Sequence, residues 1–113
     1  MEQKDKELLL KDLCARLPYG VIVNYNGIDD YTLSIKLLST HYVEKMKPYL
    51  RPMSSMTEEE KKEYDHRLEC MFYDTMYDDA FAIDWLNTNH FDYRGLIEKG
   101  LAISTDDFNP YKD

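Results

Sequence analysis

Residues 80–103, AFAIDWLNTNHFDYRGLIEKGLAI, concentrate the apolar side chains of the chain and include its single Trp. Four of them recur at the i, i+1, i+4, i+5 spacing that places side chains on one side of a helix, namely Phe81, Ala82, Trp85 and Leu86. After this helix, Gly95 and Gly100 interrupt the apolar run and indicate turns. We therefore expect a helix at 79–90 with a buried face, and the rest of the domain to pack around this stretch.

Residues 3–17 predict an amphipathic helix at the N-terminus. Its apolar stripe follows the i, i+3, i+4, i+7 spacing and consists of Leu10, Leu13, Cys14 and Leu17. The basic side chains, Arg16 among them, are expected to point elsewhere. Pro18 ends the helix, because the residue before a proline is disfavoured in the α region.

The next two apolar segments predict a β-hairpin. Residues 20–25 are rich in β-branched side chains, and residues 31–37 alternate between apolar and polar. A two-residue turn at 26–27 would set core positions opposite polar ones, so we expect a five-residue loop at 26–30 instead. The pairs that follow from this loop are Tyr25 with Tyr31, Val23 with Leu33, and Val21 with Ile35.

Residues 40–56 predict at most a short edge strand or a helical turn, because Pro48 and Pro52 interrupt any long helix. Function, if it lies on a loop, could lie here.

A capping box marks the start of the next helix. The Thr57 hydroxyl can accept a hydrogen bond from the Glu60 amide, while the Glu60 carboxylate reaches back to the Thr57 amide. We expect this helix at 58–73 to bury a stripe made of Tyr64, Leu68, Met71 and Phe72. Asp78 or Asp79 is expected to cap the helix that follows.

These elements predict a single α+β domain over residues 1–113, with an N-terminal helix, a small antiparallel sheet built on a β-hairpin, and two further helices. The tail at 104–113 lacks periodicity and is expected to lie along the surface or fray. No run approaches the roughly 18 apolar residues of a membrane span. Since Cys14 and Cys70 lie in predicted helices and no signal peptide precedes them, we expect reduced thiols in a cytoplasmic protein.

The negative charge of the chain is concentrated in its middle. Of the net charge of −8, residues 54–80 carry −6 and residues 81–113 carry −3, whereas residues 1–53 carry +1. A negative field disfavours nucleic acid and anionic lipid and suits a basic protein partner. Acidity that serves solubility alone is the alternative.

Glu63, His66 and Cys70 lie on adjacent turns of one predicted helix, a spacing compatible with metal binding. A di-metal carboxylate bundle would need a second copy of this motif, and zinc would need a fourth ligand. The structural alternative is a surface pair of Glu and His beside a buried thiol. Since phosphate loops, dinucleotide motifs and nucleophile elbows are absent from the sequence, we assign no cofactor and no catalytic residue. A small enzyme or metal-binding protein using these three residues remains the alternative function.

Two irregular segments, 48–56 and 91–100, each place an Arg close to a Tyr. The residues are Tyr49 with Arg51, and Tyr93 with Arg94. Tyr and Arg contribute disproportionately to interface energy, and loops on a rigid scaffold commonly hold binding sites. We therefore expect any interaction surface to lie where these segments meet. The structural alternative is that both arginines pair with the acidic helix at 58–63 and hold the loops in place.

Three blocks of the sequence form a recognisable set: KDLCARLPYGV at 11–21, KPYLRPMSSMTEEEKKEY at 47–64, and IDWLNTNHFDYRGLIEKGLAI at 83–103. Together they resemble a group of short uncharacterised proteins of gut Bacteroidetes and of their phages and mobile elements. The resemblance covers about half of the chain and implies an origin, but it supplies no activity, ligand or catalytic residue. We therefore expect a non-catalytic phage or mobile-element protein that acts through protein–protein interaction.

Overall fold

Four helices and four strands make up the part of the chain that the computed structural model describes, residues 2–38, 40–73 and 80–111. The helices are α1 (Gln3–Arg16), α2 (Thr40–Val43), α3 (Glu58–Tyr73) and α4 (Ala80–Thr88). The strands are β1 (Ile22–Tyr25), β2 (Asp29–Thr32), β3 (Met46–Leu50) and β4 (Ile103–Ser104). The fold is α+β, as the sequence predicts, with an N-terminal helix, a sheet built on a hairpin, and two further long helices.

The strands form one sheet in the order β2-β1-β3-β4. β1 pairs antiparallel with both β2 and β3, whereas β4 runs parallel to β3. The sheet is therefore mixed, because Ile103 and Ser104 add a short parallel strand to the predicted antiparallel part. Residues 40–56, where the sequence predicts at most a short edge strand or a helical turn, contain the four-residue helix α2 and the inner strand β3.

Pro48 lies inside β3 because the ladder needs no amide hydrogen at this position. It faces Val23 of β1. The Asn26 amide donates to the Lys45 carbonyl oxygen at 2.7 Å, three residue pairs away. Hydrogen-bonded pairs alternate along an antiparallel ladder, so the pair of Val23 and Pro48 falls at a position without hydrogen bonds. β4 pairs with β3 only from Tyr49 onward, which leaves Pro48 tolerated in an inner strand.

The register of the hairpin differs from the predicted one. Tyr25 pairs with Asp29 and Val23 pairs with Tyr31, so the loop has three residues and not five. The predicted pairing of Tyr25 with Tyr31 is therefore wrong, although their rings lie on the same face with centroids 6.5 Å apart. The second strand also ends earlier than expected, and Ile35 lies in an exposed 3-10 turn instead of facing the core.

The sequence at the hairpin turn explains this register. Asn26 and Gly27 have positive φ angles of 57° and 74°, and the Ile28 amide donates to the Tyr25 carbonyl oxygen at 3.1 Å. A two-residue turn of the primed type, which this dipeptide favours, has these features. Ile28 is one additional residue after the turn, and it returns Tyr31 to the apolar face.

The buried stripe of α1 is shifted by one residue from the predicted stripe. It consists of Leu9, Asp12, Leu13 and Arg16, which keep the i, i+3, i+4, i+7 spacing. Cys14 is exposed and Arg16 is fully buried. The expected stripe through Cys14, with Arg16 pointing elsewhere, is therefore wrong, because a buried partner for Arg16 is available at Asp12.

The main core forms between α1 and one face of the sheet. Its buried members are Leu9, Leu13, Val21, Val23, Leu33, Val43, Met46, Leu50, Leu96, Leu101 and Ala102. The stretch at 80–103 supplies the last three of these, while its own Ala82, Leu86 and Phe91 are also buried. Trp85 is only half-buried, so this stretch contributes to the core without forming its centre.

The capping box of α3 is confirmed. The Glu60 amide donates to the Thr57 hydroxyl oxygen at 3.1 Å, and the Thr57 amide donates to Glu60 Oε1 at 3.0 Å. The predicted cap of α4 at residues 78–79 lies outside the described residues. The start of α3 agrees with the sequence pattern, and α4 ends two residues earlier than expected.

The apolar stripe predicted for α3 is not buried. No residue of this helix is buried, and Leu68 and Phe72 are exposed. α3 packs on α4, where the rings of Tyr64 and Trp85 stack with centroids 6.1 Å apart. The sheet and α1 close their core without α3, so the C-terminal half of this helix keeps its apolar side chains at the surface.

Candidate functional site

The two segments in which the sequence predicts an interaction surface lie side by side. Arg51 forms a parallel β-bridge with Phe91. The Arg51 amide donates to the His90 carbonyl oxygen at 2.8 Å, and the Asp92 amide donates to the Arg51 carbonyl oxygen at 2.8 Å. Backbone hydrogen bonds therefore fix the two segments to each other.

The Arg51 guanidinium group is engaged in an ion pair. Nη1 and Nη2 donate to the two carboxylate oxygens of Glu60 at 2.8 and 2.7 Å, a bidentate arrangement. The guanidinium also lies over the Phe91 ring, with Cζ 4.1 Å from its centroid. Hydrogen bonding from Arg51 lowers the pKa of Glu60 to about 2. Arg51 therefore holds its loop against the start of α3, as the structural alternative expects.

Arg94 pairs with a carboxylate that the sequence analysis does not anticipate. Its Nη1 donates to Asp12 Oδ1 at 2.9 Å, which ties Arg94 to α1 and not to α3. The guanidinium lies beside the Tyr93 ring, with Cζ 4.9 Å from its centroid. The Tyr93 hydroxyl donates to Asn87 Oδ1 at 2.9 Å. Arg94 and Tyr93 are therefore both engaged by partners inside the protein.

Arg16 is the buried centre of this network. Its Nε donates to Asp12 Oδ2 at 2.7 Å, and both side chains are fully buried. Its Nη2 donates to the Phe91 carbonyl oxygen at 2.7 Å, and its Cζ lies 5.0 Å from the centroid of the Tyr93 ring. One carboxylate therefore joins two arginines, and through them connects α1 to the segment after α4.

Tyr49 is buried on the sheet, apart from the two arginines. Its hydroxyl donates to Asp30 Oδ1 at 2.7 Å, and its ring meets that of Phe108 with centroids 5.7 Å apart. This hydrogen bond lowers the pKa of Asp30, whereas burial raises the pKa of Tyr49. Of the four predicted surface residues, Tyr49 is buried and the other three are half-buried.

A groove of about 420 Å³ lies where the two segments meet. Met53 and Ser54 line one side, and Tyr93 and Ile97 line the other. The buried Asp92 carboxylate at this groove accepts hydrogen bonds from the amides of Leu96 and Ile97 at 2.9 and 3.0 Å. The Asp92 carboxylate therefore stabilises the turn that follows it. The groove offers a concave surface, but its buried carboxylate is already hydrogen-bonded within the protein.

The weak metal candidates on α3 do not converge. Glu63 accepts a hydrogen bond from Arg67 Nε at 2.7 Å. His66 Nε2 and Cys70 Sγ lie 3.7 Å apart. Across the described parts of the chain, no three His, Cys, Asp or Glu side chains are placed to hold a metal ion together. Glu63 and His66 instead fit a surface role, and Cys70 is a half-buried free thiol.

His90 occupies a position that sequence reasoning missed. It has a positive φ of 62° just after α4. The Phe91 amide donates to the Leu86 carbonyl oxygen and the His90 amide donates to that of Asn87, which is the Schellman pattern. Glycine is the usual residue at the left-handed position of this motif. A histidine at the left-handed position that follows a helix, where glycine is usual, is the feature of the sequence that could have drawn attention to His90.

The His90 side chain stacks on the tail. Its ring lies parallel to that of Tyr111, with centroids 3.9 Å apart and planes 6° apart. Burial, together with the positive charges of Arg16 and Arg51, lowers the pKa of His90 to about 4. Its Nδ1 is buried without a hydrogen-bond partner among the described residues. The environment of His90 therefore favours the neutral imidazole.

Tyr111 joins two strands of the sheet. Its hydroxyl accepts a hydrogen bond from the Ile22 amide at 2.9 Å and donates to the Tyr49 carbonyl oxygen at 2.8 Å. By the alternation of the ladder, Ile22 and Tyr49 would otherwise form the next hydrogen-bonded pair. Burial raises the pKa of Tyr111 to about 12. Hydrogen bonds of Tyr111 therefore hold the tail against the sheet. The sequence of the tail has no periodicity that would predict this contact.

The exposed end of α3 combines aromatic side chains with negative charge. Phe72 and Tyr73 are each 82% exposed, and their rings meet edge to face with centroids 5.0 Å apart. They enclose a shallow hollow of about 280 Å³ together with Leu68 and Glu69. The helix carries six carboxylates against three basic side chains. Exposed apolar surface rimmed by polar side chains is typical of a protein-binding surface. We call Leu68, Glu69, Phe72 and Tyr73 the α3 patch.

Comparison with known proteins finds no match to a protein-family model, to a curated protein or to a solved structure. Among the described helices, none is long and apolar enough to cross a membrane.

Proposed function

We propose that this chain is a non-catalytic protein of phage or mobile-element type that acts in the cytoplasm by binding another protein. The type of origin rests on the resemblance of the three sequence blocks. The cytoplasmic location rests on both cysteines being free thiols.

The α3 patch is the observation that carries this proposal. Burying Phe72 and Tyr73 in an interface would remove apolar surface from water, which is the main favourable term in protein association. The exposed carboxylates of Glu69 and of Asp65, one turn before it, would attract a positively charged surface and repel a negative one. The partner we propose is therefore a basic protein that presents an apolar segment flanked by Lys or Arg.

The engagement of the other candidate groups also favours binding over catalysis. Arg51 and Arg94 are held by carboxylates of the protein, and the Asp92 carboxylate caps a turn. A general base or a nucleophile needs to be within reach of a substrate. Arg51, Arg94 and Asp92 are thus occupied by partners in the described part of the chain.

Among the residues of the alternative function, Glu63 is the carboxylate, and it is paired with Arg67. It therefore does not orient His66 or Cys70, which contact each other.

The test is affinity capture from a lysate of a gut Bacteroidetes host, with proteins identified by mass spectrometry. The wild type is compared with the double substitution Phe72→Ser and Tyr73→Ser. Phe108→Ser is the matched control, since Phe108 is also an exposed aromatic residue but lies outside α3. We expect the wild type and the control to retain the same basic protein and the double variant to lose it. Equal capture by all three proteins, or specific capture of an acidic protein, would contradict the proposal.

A further inference from the structure

We propose that the outer edge of β2 binds an extended basic segment of another protein, which adds to the sheet as a further antiparallel strand. This surface contains no residue of α3, so it stands or falls independently of the α3 patch.

β2 is the terminal strand of the sheet. It pairs with β1 on one side, and no strand in the described parts of the chain pairs with its other side. All four of its residues, Asp29–Thr32, are exposed. A sheet edge of this kind presents backbone groups to which another extended chain can pair.

The ladder between β1 and β2 shows which backbone groups point outward. The Leu33 amide donates to the Val21 carbonyl oxygen at 2.8 Å, so this pair is hydrogen-bonded. Alternation then makes Tyr31 a hydrogen-bonded partner of β1 and leaves Asp30 and Thr32 at the positions between. The amide and carbonyl groups of Asp30 and Thr32 therefore face away from β1. An added antiparallel strand could form two hydrogen bonds with each of these residues.

Side chains beside this edge favour a positively charged strand. Asp29 and Tyr31 project to the same face of β2, and the Tyr31 hydroxyl lies 3.4 Å from Asp29 Oδ2. The Tyr25 and Tyr31 rings meet edge to face, with centroids 6.5 Å apart. An Arg or Lys opposite this position would meet both a carboxylate and an aromatic face, each of which attracts a cation.

Large apolar side chains extend the edge at both ends. Ile28 precedes β2 and is 79% exposed, and Ile35 follows it and is 76% exposed. β2 contains neither Pro nor Lys, and its charged side chains are Asp29 and Asp30, which repel an acidic strand and attract a basic one.

Charge favours a basic segment over a second copy of the chain as the binding partner of this edge. Two β2 edges that pair antiparallel would bring Asp29 and Asp30 of each copy close to those of the other. Each copy also carries a net charge of −8, and like charges opposite each other destabilise a strand pair. A basic segment replaces this repulsion by attraction.

The test uses a blocked octapeptide of alternating arginine and threonine as the probe, and its dissociation constant is measured by fluorescence anisotropy. Thr32→Pro removes the outward amide hydrogen, whereas the control Thr32→Ala keeps it. We expect the proline variant to bind the peptide about two- to tenfold more weakly than the alanine variant, the range for one net hydrogen bond. We expect a peptide with glutamate in place of arginine not to bind.

A measurement on the wild-type protein keeps the test valid if Thr32→Pro disturbs the fold. N-methylation of alternate amides of the octapeptide blocks pairing in a ladder, and it should weaken binding by at least the same factor. Three results would overturn the proposal. The first is that the arginine peptide does not bind up to about 1 mM. The second is that neither Thr32→Pro nor N-methylation of the peptide weakens its binding. The third is that the wild type forms dimers that Thr32→Pro dissociates.

Discussion

Asp12 and Arg16 form an ion pair one helical turn apart, with Nε 2.7 Å from Oδ2 and both side chains fully buried. The same carboxylate also accepts a hydrogen bond from Arg94 at 2.9 Å. The pair therefore connects the first helix to a segment about 80 residues later in the chain. Arginines that sequence reasoning assigns to solvent or to a partner thus hold the fold together.

We predict that Asp12→Asn lowers the free energy of unfolding by about 3–5 kcal/mol, the range for breaking a buried ion pair by removing one charge. Arg16 would then stay buried without a compensating carboxylate. Chemical denaturation measures the loss, and Cys14→Ala on the exposed side of the same helix is the control, with an expected change within about 0.5 kcal/mol. A loss below about 1 kcal/mol for Asp12→Asn would show that this pair does not hold the fold.

The low pKa of His90 predicts a specific loss of stability in mild acid. Its pKa is about 4 in the folded protein and about 6.5 when unfolded. Since the folded value is the lower one, the contribution is fully present above about pH 6.5 and is lost as the pH falls toward 4. We expect a loss of about 1–2 kcal/mol, because solvent partly screens the half-buried ring.

Thermal denaturation of the wild type and of His90→Asn between pH 7 and pH 4.5 measures this contribution. Asn is tolerated at a positive φ, so the variant removes the titrating ring with little backbone strain. We expect the stability difference between wild type and variant to shrink as the pH falls. A difference that stays constant with pH would contradict the assigned environment of His90.

The ion pair of Arg51 and Glu60 predicts a second pH dependence at lower pH. The pKa of Glu60 is lowered from 4.5 to about 2, so its contribution is present above about pH 4.5 and is lost as the pH falls toward 2. We expect Glu60→Gln to lower the free energy of unfolding by about 1 kcal/mol at neutral pH, as for a partly exposed pair. Urea denaturation at pH 7 and at pH 3 should show a smaller effect of the substitution at the lower pH. An equal effect at both pH values would argue against the pair.

Trp85 is expected to contribute less to stability than a fully buried aromatic residue. It is half-buried, and its ring stacks against Phe91 with centroids 5.7 Å apart. We predict a loss of about 2–3 kcal/mol for Trp85→Ala and of about 3–5 kcal/mol for Phe91→Ala. Chemical denaturation compares the two variants. A larger loss of stability for Trp85→Ala than for Phe91→Ala would contradict the prediction.

The sequence predicts an element correctly where a few neighbouring residues are enough to determine it. Thr57 and Glu60 define the start of α3 because a capping box is a local motif that depends on four residues. The apolar face of the hairpin also follows from alternation. Its register does not, because loops of three and of five residues place Tyr31 on the same face as Tyr25.

Buried charge explains the error in α1. Asp12 with Arg16 and Glu63 with Arg67 have the same i, i+4 spacing, yet the first pair is buried and the second lies at the surface. The pattern predicts that the two side chains meet but not what covers them. The apolar face of α3 shows the converse, since Phe72 fits a helical stripe that no described element covers.

The predicted site could be located only in part. Arg51 and the segment after Phe91 do meet. Both segments stand out in the sequence because Pro or Gly interrupts them. The pairing of Arg94 with Asp12 depends on the long-range packing of α1, which a single sequence does not reveal. The role of Tyr111 is hidden for the same reason, because one hydroxyl group joins two strands that precede it by many residues.

The most direct test of the account compares two double variants in the same pair of assays, melting temperature and capture of the basic partner. Phe72→Ser with Tyr73→Ser alters exposed side chains of the α3 patch, while Arg51→Ala with Arg94→Ala removes two arginines that are paired internally. We predict that the first variant keeps its melting temperature and loses capture. We predict that the second melts at least about 5 °C lower but retains the partner at temperatures where it is folded. The reverse outcome, capture retained without the aromatic residues and lost without the arginines, would contradict the account.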